Sequence, residues 1–278
     1  MVDQPSGRDD PVGPDGRVQP AIAQAGDGTP IAYQRDGAGP PLLLLAGQAN
    51  NHTWWNPVRA DFAAGHTVLT LDWRGTGASG APDCPYSIEL FAADVIAVLD
   101  AAGIDRAHVY GTSMGGRVAQ QLAARHPSRV DRLVLGCTSP GGRHAVERDM
   151  GVRRALIGPD ADTVLRELMY TPKWLAEHPG PLTVLGDPAL PPHARRQHLL
   201  ASAHHDAWAV LPAVSAATLV LHGADDRLTP AVNADRLVER IPNARKLILP
   251  GARHAYFHEF AALATPAVLD HLAGRPGS

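Results

Sequence analysis

The strongest sign of covalent chemistry in this chain is a serine. Ser113 lies in Gly111-Thr112-Ser113-Met114-Gly115-Gly116, directly after the apolar run Ala107-His108-Val109-Tyr110 and at the head of a helical pattern, Met114 to Arg125. This is G-x-S-x-G in the strand–turn–helix setting that gives the motif meaning. A serine forced onto a tight, strained turn needs neighbours without bulk. Gly111 and Gly115 let the strand and helix backbones approach, so that Ser113 projects at the sheet edge. The helix start adds free N–H groups and a partial positive charge for a developing oxyanion. The plainer alternative, a glycine-rich helix start with an incidental serine, gives way to this context and to the partners that follow.

A serine is a weak nucleophile and needs a base and a residue that orients the base, in chain order serine, acid, histidine. Thr218 to Leu221 runs into His222-Gly223-Ala224-Asp225-Asp226-Arg227-Leu228-Thr229-Pro230, which sets a carboxylate at a strand tip. Lys246 to Leu249 runs into Pro250-Gly251-Ala252-Arg253-His254, which sets an imidazole at the next. Neighbouring parallel strands bring such loops to one edge. Triad geometry by itself accepts either Asp225 or Asp226.

These residues need a scaffold, and the patterns supply one. Ile22 to Ala25 and Ile31 to Gln34 flank a turn and read as a hairpin. Leu42 to Ala46, Val68 to Asp72, His108 to Tyr110, Leu133 to Leu135, Leu219 to Leu221 and Leu247 to Leu249 are short apolar runs suited to parallel strands buried on both faces. Helical patterns lie between them: Trp55 to Ala64, Ser87 to Ala102, Met114 to Arg125, Ala231 to Arg240 and Phe257 to Leu272. The alternation predicts an α/β fold with a mostly parallel central sheet and helices on both faces. From Gly141 to about His205 the pattern is helical (Val146 to Ile157, Thr163 to Trp174, Ala194 to Ala203) with proline clusters and no strand. The expected organisation is a disordered leader over 1–20, a core over 21–140 and 206–278, and a helical cap over 141–205.

Of the 278 residues, 45% are hydrophobic and 19% charged, which excludes wholesale disorder and a fibrous repeat. Lys+Arg 25 against Asp+Glu 28 gives a net charge of -3, leaving no positive field to hold nucleic acid. Two cysteines, Cys84 and Cys137, make no disulfide framework, and a cytoplasmic chain is expected. The first twenty residues are rich in Pro, Gly and Asp and hold no apolar stretch of signal-peptide length. Leu42 to Leu45 falls far short of the ~20 apolar residues of a membrane helix, and no membrane partner is expected.

The sequence resembles the α/β-hydrolase family, and within it the capped esterase and lactonase branch that includes 3-oxoadipate enol-lactonases, over roughly 29 to 140 and 206 to 273. The residues that carry the resemblance are Asp72-Trp73-Arg74-Gly75-Thr76-Gly77-Ala78-Ser79, the elbow with Ala119 to Pro127, His222 to Pro230, and Gly251-Ala252-Arg253-His254. The family's spacing from Gly to acid to Pro selects Asp226, and His254 alone of the 14 histidines follows the final strand at the matching position. His222, His258 and Glu259 read as structural. The resemblance implies an oxyanion hole from the N–H of Met114 and that of Gln48. Where members commonly have His-Gly, this chain has Ala46-Gly47, so Asn50, Asn51 or His52 are the candidates to organise that loop.

Gly75-Thr76-Gly77-Ala78-Ser79-Gly80 matches G-x-G-x-x-G, but Ala81-Pro82-Asp83-Cys84-Pro85 cannot open the helix a dinucleotide needs. No metal-ligand spacing occurs, so neither metal nor cofactor is expected. Trp54, Trp55, Met169, Tyr170, Trp174, His204 and Trp208 are the expected pocket, each with helix packing as the alternative role. The expected activity is hydrolysis of a small, largely apolar ester or lactone through an acyl-enzyme, Ser113 attacking, His254 moving the proton and Asp226 orienting it. The alternatives are a C–C bond hydrolase, a cyclase, lyase or perhydrolase of the same fold, and a small-molecule receptor with a slow triad.

Overall fold

Short aliphatic runs without a polar face must be covered on both sides, and the chain does this with one sheet and two helical layers. The computed structural model describes residues 20–275, so the leader expected over 1–20 lies, but for Pro20, outside the described residues. The strands are β1 (Ala21–Gln24), β2 (Pro30–Asp36), β3 (Pro41–Leu45), β4 (Thr67–Leu71), β5 (Ala107–Thr112), β6 (Val130–Gly136), β7 (Ala217–Gly223) and β8 (Ala244–Leu249). They lie in the order β1-β2-β4-β3-β5-β6-β7-β8. β1 and β2 form the expected antiparallel hairpin, β2 pairs antiparallel with β4, and every pair beyond is parallel.

Alternation along each strand divides the core. Leu43, Leu45, Val109, Leu133 and Val220 pack with α2 (Ile88–Ala101), α3 (Met114–Arg125) and α8 (Asn233–Arg240) on one face. Leu42, Leu44, Tyr110, Val134 and Leu219 pack with α1 (Arg59–Ala63) and α10 (Ala261–Leu272) on the other. Each fully buried Leu or Val in these layers contributes about 1.5–3 kcal/mol relative to exposure. α2 shows how the sequence specifies an element. Ser87 caps it by accepting from the Leu90 N–H at 3.1 Å, Phe91, Val95 and Val98 form its buried stripe, and Gly103 at φ 68° ends it.

Between β6 and β7 lie α4 (Met150–Ala155), α5 (Ala161–Met169), α6 (Pro172–Glu177) and α7 (Pro192–Ala203), with no strand among the described residues. The two ends of this segment are stitched together by a bridge between Gly141 and Asp206 and by the bond from Ala207 N to Pro140 O at 2.8 Å. Some helices begin or break differently from the sequence pattern, for local reasons. The expected helix Thr163 to Trp174 is interrupted because Thr171 caps Trp174 N at 3.3 Å and Pro172 opens α6. The one expected from Val146 starts only at Met150, because Asn233 holds both the N–H and the C=O of Val146 at 2.8 Å. Trp55 lies in a 3-10 turn, His52–Trp55, ahead of α1. The closing helix is split into α9 (Tyr256–Glu259) and α10. No helix among the described residues is long and apolar enough to cross a membrane.

Candidate active site

The strand order reverses at β3, which has β4 on one side and β5 on the other, and the carboxyl ends of β3 and β5 therefore open onto the crevice such sheets use for ligands. Leu45 pairs with Gly111, so the loops leaving these strands start side by side. Ser113 caps α3 at φ 54°, ψ −118°. A Cβ on Gly111 would overlap the Gly115 carbonyl, and one on Gly115 would overlap the carbonyls of Leu45 and Ala46. The glycines are thus required by contact. The turn is held by Ser113 N donating to Gly136 O at 2.9 Å and by the Thr138 hydroxyl donating to Ser113 O at 2.7 Å. Ala49 (φ 61°), Ser113 and Cys137 (φ 39°) are the non-glycine residues with positive φ among the described residues, and all follow the ends of β3, β5 and β6. Strain of about 1–3 kcal/mol at each is concentrated at one sheet edge.

The acid and the imidazole come from β7 and β8, whose tips pair as Gly223 with Leu249. Ala224 N bonds Leu249 O and Asp225 N bonds Ala252 O, each at 2.9 Å, tying the two loops together. Asp225 is exposed, whereas Asp226 is buried. Asp226 Oδ1 accepts from the N–H groups of Leu228 and Thr229 at 2.9 and 2.8 Å, and its Oδ2 lies 2.8 Å from His254 Nδ1. Burial by itself would raise the Asp226 pKa; the His254 charge and the hydrogen bonds from His222 and His254 outweigh it and hold the carboxyl well below the usual carboxylate range. His222 is a strand-end histidine in β7, as the sequence indicates, with Nε2 2.8 Å from Thr229 O, and the same nitrogen lies 3.4 Å from Asp226 Oδ2. Its position four residues before the acid was the signal available.

The Met114 N–H is the first of α3 and has no intrahelical acceptor. Gln48 stands in the turn after β3, and the close approach of Gly115 to Leu45 and Ala46 sets that turn beside the helix start. Trp54 packs its ring over Gly47 and donates from Nε1 to the Thr112 hydroxyl at 2.9 Å, so it buttresses the elbow.

The residues expected to line a pocket are not gathered in one place. Trp55 is fully buried against Tyr110 and Phe257, inside the sheet core. Met169 and Tyr170 are buried beside the His254 loop, where Ala255 N donates to Met169 O at 2.9 Å, and Trp174 stacks on Tyr170 at 4.1 Å. His204 is exposed, and Trp208 stacks on His144 at 4.0 Å, with the Arg240 guanidinium 5.4 Å from the centroid of the Trp208 ring. Aromatic scarcity was a poor guide because stacking and core packing use the same residues. His258 and Glu259 have the structural roles expected, binding the Tyr170 hydroxyl at 2.9 Å and the Thr171 N–H at 2.9 Å. A cleft of about 360 Å³ lies beside the Asp226 and His254 loops, lined by Val152, Ala155, Val164 and Leu168 together with Glu167, Arg227 and Arg253. No cluster of three metal-ligating side chains occurs among the described residues.

The glycine-rich stretch after β4 closes on itself. Gly75 N bonds Gly80 O at 2.9 Å, Ala78 N bonds Asp72 Oδ2 at 3.0 Å, and Arg74 is buried between Asp94 and Asp27 at 2.6 Å each.

Three buried histidines make stability depend on pH. Burial pushes the pKa of His198 down to about 4, of His205 to about 3 and of His271 to about 4, from 6.5. Below pH 6.5 the unfolded chain takes up protons that the folded chain refuses until those lower values, so stability falls as pH drops from 6.5 towards 4. Each unit of difference is worth about 1.4 kcal/mol. The urea midpoint should therefore fall steeply between pH 7 and 4.5. His205→Leu should flatten that slope, because both ring nitrogens of His205 lack a hydrogen-bond partner. A midpoint constant over this range would contradict the account.

Comparison with known proteins converges on one group. A family model described as alpha/beta hydrolase fold matches residues 40–261. A protein of Azorhizobium caulinodans that has been assigned the name carbamate hydrolase RutD is 32% identical over 269 residues, 90% of this chain and 95% of that one. A hydrolase from Pseudomonas aeruginosa PA01 has a structure similar at a TM-score of 0.77, with 31% identity over 91% of this chain and 98% of that one. The enol-lactonase from Burkholderia xenovorans LB400 gives a TM-score of 0.77, with 27% identity over 91% of this chain and 100% of that one.

Proposed function

The chain belongs to the alpha/beta hydrolase fold family, and from that premise we propose that it is a serine hydrolase cleaving a small carboxylic ester or lactone through an acyl-enzyme. The observation that carries this reading is the buried 2.8 Å bond between His254 Nδ1 and Asp226 Oδ2. With Nδ1 committed to the carboxylate, Nε2 is the nitrogen left to take the serine proton. Ser113 Oγ attacks the carbonyl carbon as its proton passes to His254. The negative charge that develops on the carbonyl oxygen is met by the N–H groups of Met114 and Gln48. Collapse of the tetrahedral intermediate breaks the acyl–oxygen bond, and His254 gives its proton to the departing alkoxide. Water then attacks the acyl-enzyme with His254 again as base, releasing the acid and Ser113. The cleft beside the Asp226 and His254 loops, lined by Val152, Ala155, Val164 and Leu168 together with Glu167, Arg227 and Arg253, supports a small substrate.

A carbamate is the second reading, and the name borne by the Azorhizobium caulinodans relative favours it. Its carbonyl lies between nitrogen and oxygen, and the same serine and oxyanion donors would act on it. The test is a panel of p-nitrophenyl acetate and butyrate, aromatic esters, lactones and a p-nitrophenyl carbamate, with Ser113→Ala as the blank. Serine-dependent turnover of esters or lactones is the expected outcome. Faster turnover of the carbamate than of its matched ester would shift the reading to carbamates, and an absence of serine-dependent turnover across the panel would overturn both.

A further inference from the structure

The loop that carries Gln48 is held from a distant part of the chain. Ala49 adopts φ 61° without being a glycine, so its conformation has to be imposed by its surroundings. Within the loop, Asn50 N bonds Gly47 O at a long 3.3 Å, and Ala46 brings no polar side chain. The stronger restraints come from the segment between β6 and β7. Asp187 N donates to Ala49 O at 2.7 Å, and Gly186 N donates to Asn50 Oδ1 at 2.9 Å. Asn50 Nδ2 in turn donates to Gln48 O at 2.8 Å, and Asn51 Nδ2 donates to Asp187 Oδ2 at 3.0 Å. Ala49 N donates to His198 Nδ1 at 3.3 Å. The peptide joining Gln48 to Ala49 is thus gripped at both its oxygen and its N–H.

The gripping groups are themselves fixed. Asp187 also accepts from Gly77 N at 2.6 Å and Ala189 N at 2.9 Å. His198 is fully buried beside Phe91 and Tyr86, with Nε2 2.8 Å from Arg74 O. Since Nδ1 faces an N–H and Nε2 faces a carbonyl, only the neutral ring protonated on Nε2 satisfies both. Burial keeps the ring neutral by holding its pKa near 4. A charged ring would have no acceptor for Ala49.

We infer that Asp187 and His198 are positioning residues for the oxyanion hole: His198 holds the Ala49 N–H, and Asp187 holds the Ala49 carbonyl and the Asn51 side chain, so that the Gln48 N–H, one peptide earlier, points at the developing oxyanion. They touch no substrate and act through the loop. The inference rests on the serine-hydrolase reading above and extends it by making the segment inserted after β6 a structural part of the catalytic machinery. Such a role is specific to the transition state, because the charge on the oxygen is fully developed only there.

Three variants separate this role from general stability. His198→Asn keeps an acceptor at the Nδ1 position for Ala49, whereas His198→Gln keeps only a donor towards Arg74. Asp187→Asn keeps the volume, but an amide has one acceptor oxygen for donors that reach both carboxylate oxygens, so its N–H₂ faces either Ala189 N or the pair Gly77 N and Asn51 Nδ2. With p-nitrophenyl acetate as substrate and Ser113→Ala as blank, His198→Gln and Asp187→Asn should lower kcat about 10–100-fold with KM within threefold. The affinity of a trifluoromethyl ketone, whose hemiketal oxygen occupies the same hole, should fall by the same factor. His198→Asn should recover most of both. Should the His198 variants fail to fold, Asp187→Asn alone carries the test by the same two readouts. Wild-type kcat and inhibitor affinity in folded Asp187→Asn, or a loss appearing only in KM, would overturn the inference while leaving the serine-hydrolase reading intact. Wild-type turnover by Ser113→Ala would overturn that reading instead, and this inference with it.

Discussion

Ser113→Ala should lower kcat by about 10⁶-fold while leaving the fold and substrate binding intact. The size of the loss follows from what the hydroxyl does. It is the only protein atom in the proposed sequence that bonds to the acyl carbon, and its removal leaves the oxyanion donors and the binding surface to act on water alone. The fold should be spared because the elbow is held through the backbone, by Ser113 N to Gly136 O and by Thr138 to Ser113 O. An alanine at φ 54° meets the same backbone strain as the serine it replaces, since both carry a Cβ. Residual turnover within tenfold of wild type, checked by steady-state kinetics on the best ester of the panel, would contradict the assignment.

Asp226→Asn comes next, with an expected loss of about 10⁴-fold in kcat. The geometry explains the magnitude. Asp226 Oδ1 accepts two main-chain N–H bonds, from Leu228 and Thr229, so an asparagine keeps its carbonyl oxygen there and turns its N–H₂ towards His254. His254 Nδ1 must then accept, which moves the ring proton to Nε2, where it can no longer take a proton from Ser113. The ring stays in place and the tautomer is wrong. The neighbouring Asp225→Asn should change kcat less than twofold, because Asp225 is exposed and the carboxylate bonded to His254 Nδ1 is that of Asp226. Equal losses in the two variants, measured on the same substrate, would contradict the role given to Asp226.

Much of this was legible before any coordinates. The parallel strands could be read because Leu42 to Leu45, Val109 to Tyr110 and Leu219 to Leu221 are apolar on consecutive residues, which only a sheet covered on both faces tolerates. The elbow could be read because its two glycines are forced by the packing of Gly111 on Gly115 and of Gly115 on Leu45. Asp226 followed from a resemblance, and the physical reason for it lies in a burial contrast with Asp225 that spacing cannot express.

What escaped the sequence was long-range. His198 and Asp187 reach Ala49 and Asn51 across 149 and 136 positions, and nothing local marks either residue as part of the site. His222 does end β7, but its contact with Asp226 depends on how the acid loop turns back, which strand pattern does not express. The pocket expectation weakened for a different reason. Trp55 satisfies the core and Trp208 satisfies a stack with His144, and composition does not distinguish these roles from lining a cleft. Helix breaks at Thr171 and Met150 were set by a side-chain cap and by Asn233, both of which outweigh an uninterrupted apolar pattern.

Covalent labelling bears most directly on the claim that Ser113 is the nucleophile. The protein is treated with a fluorophosphonate, digested with trypsin and sequenced by mass spectrometry. The account expects one adduct per chain, on the peptide Ala107–Arg117 and localised to Ser113, with labelling slowed by His254→Ala and abolished by Ser113→Ala. An adduct on another residue, or wild-type ester hydrolysis that survives the reagent without any adduct, would contradict it.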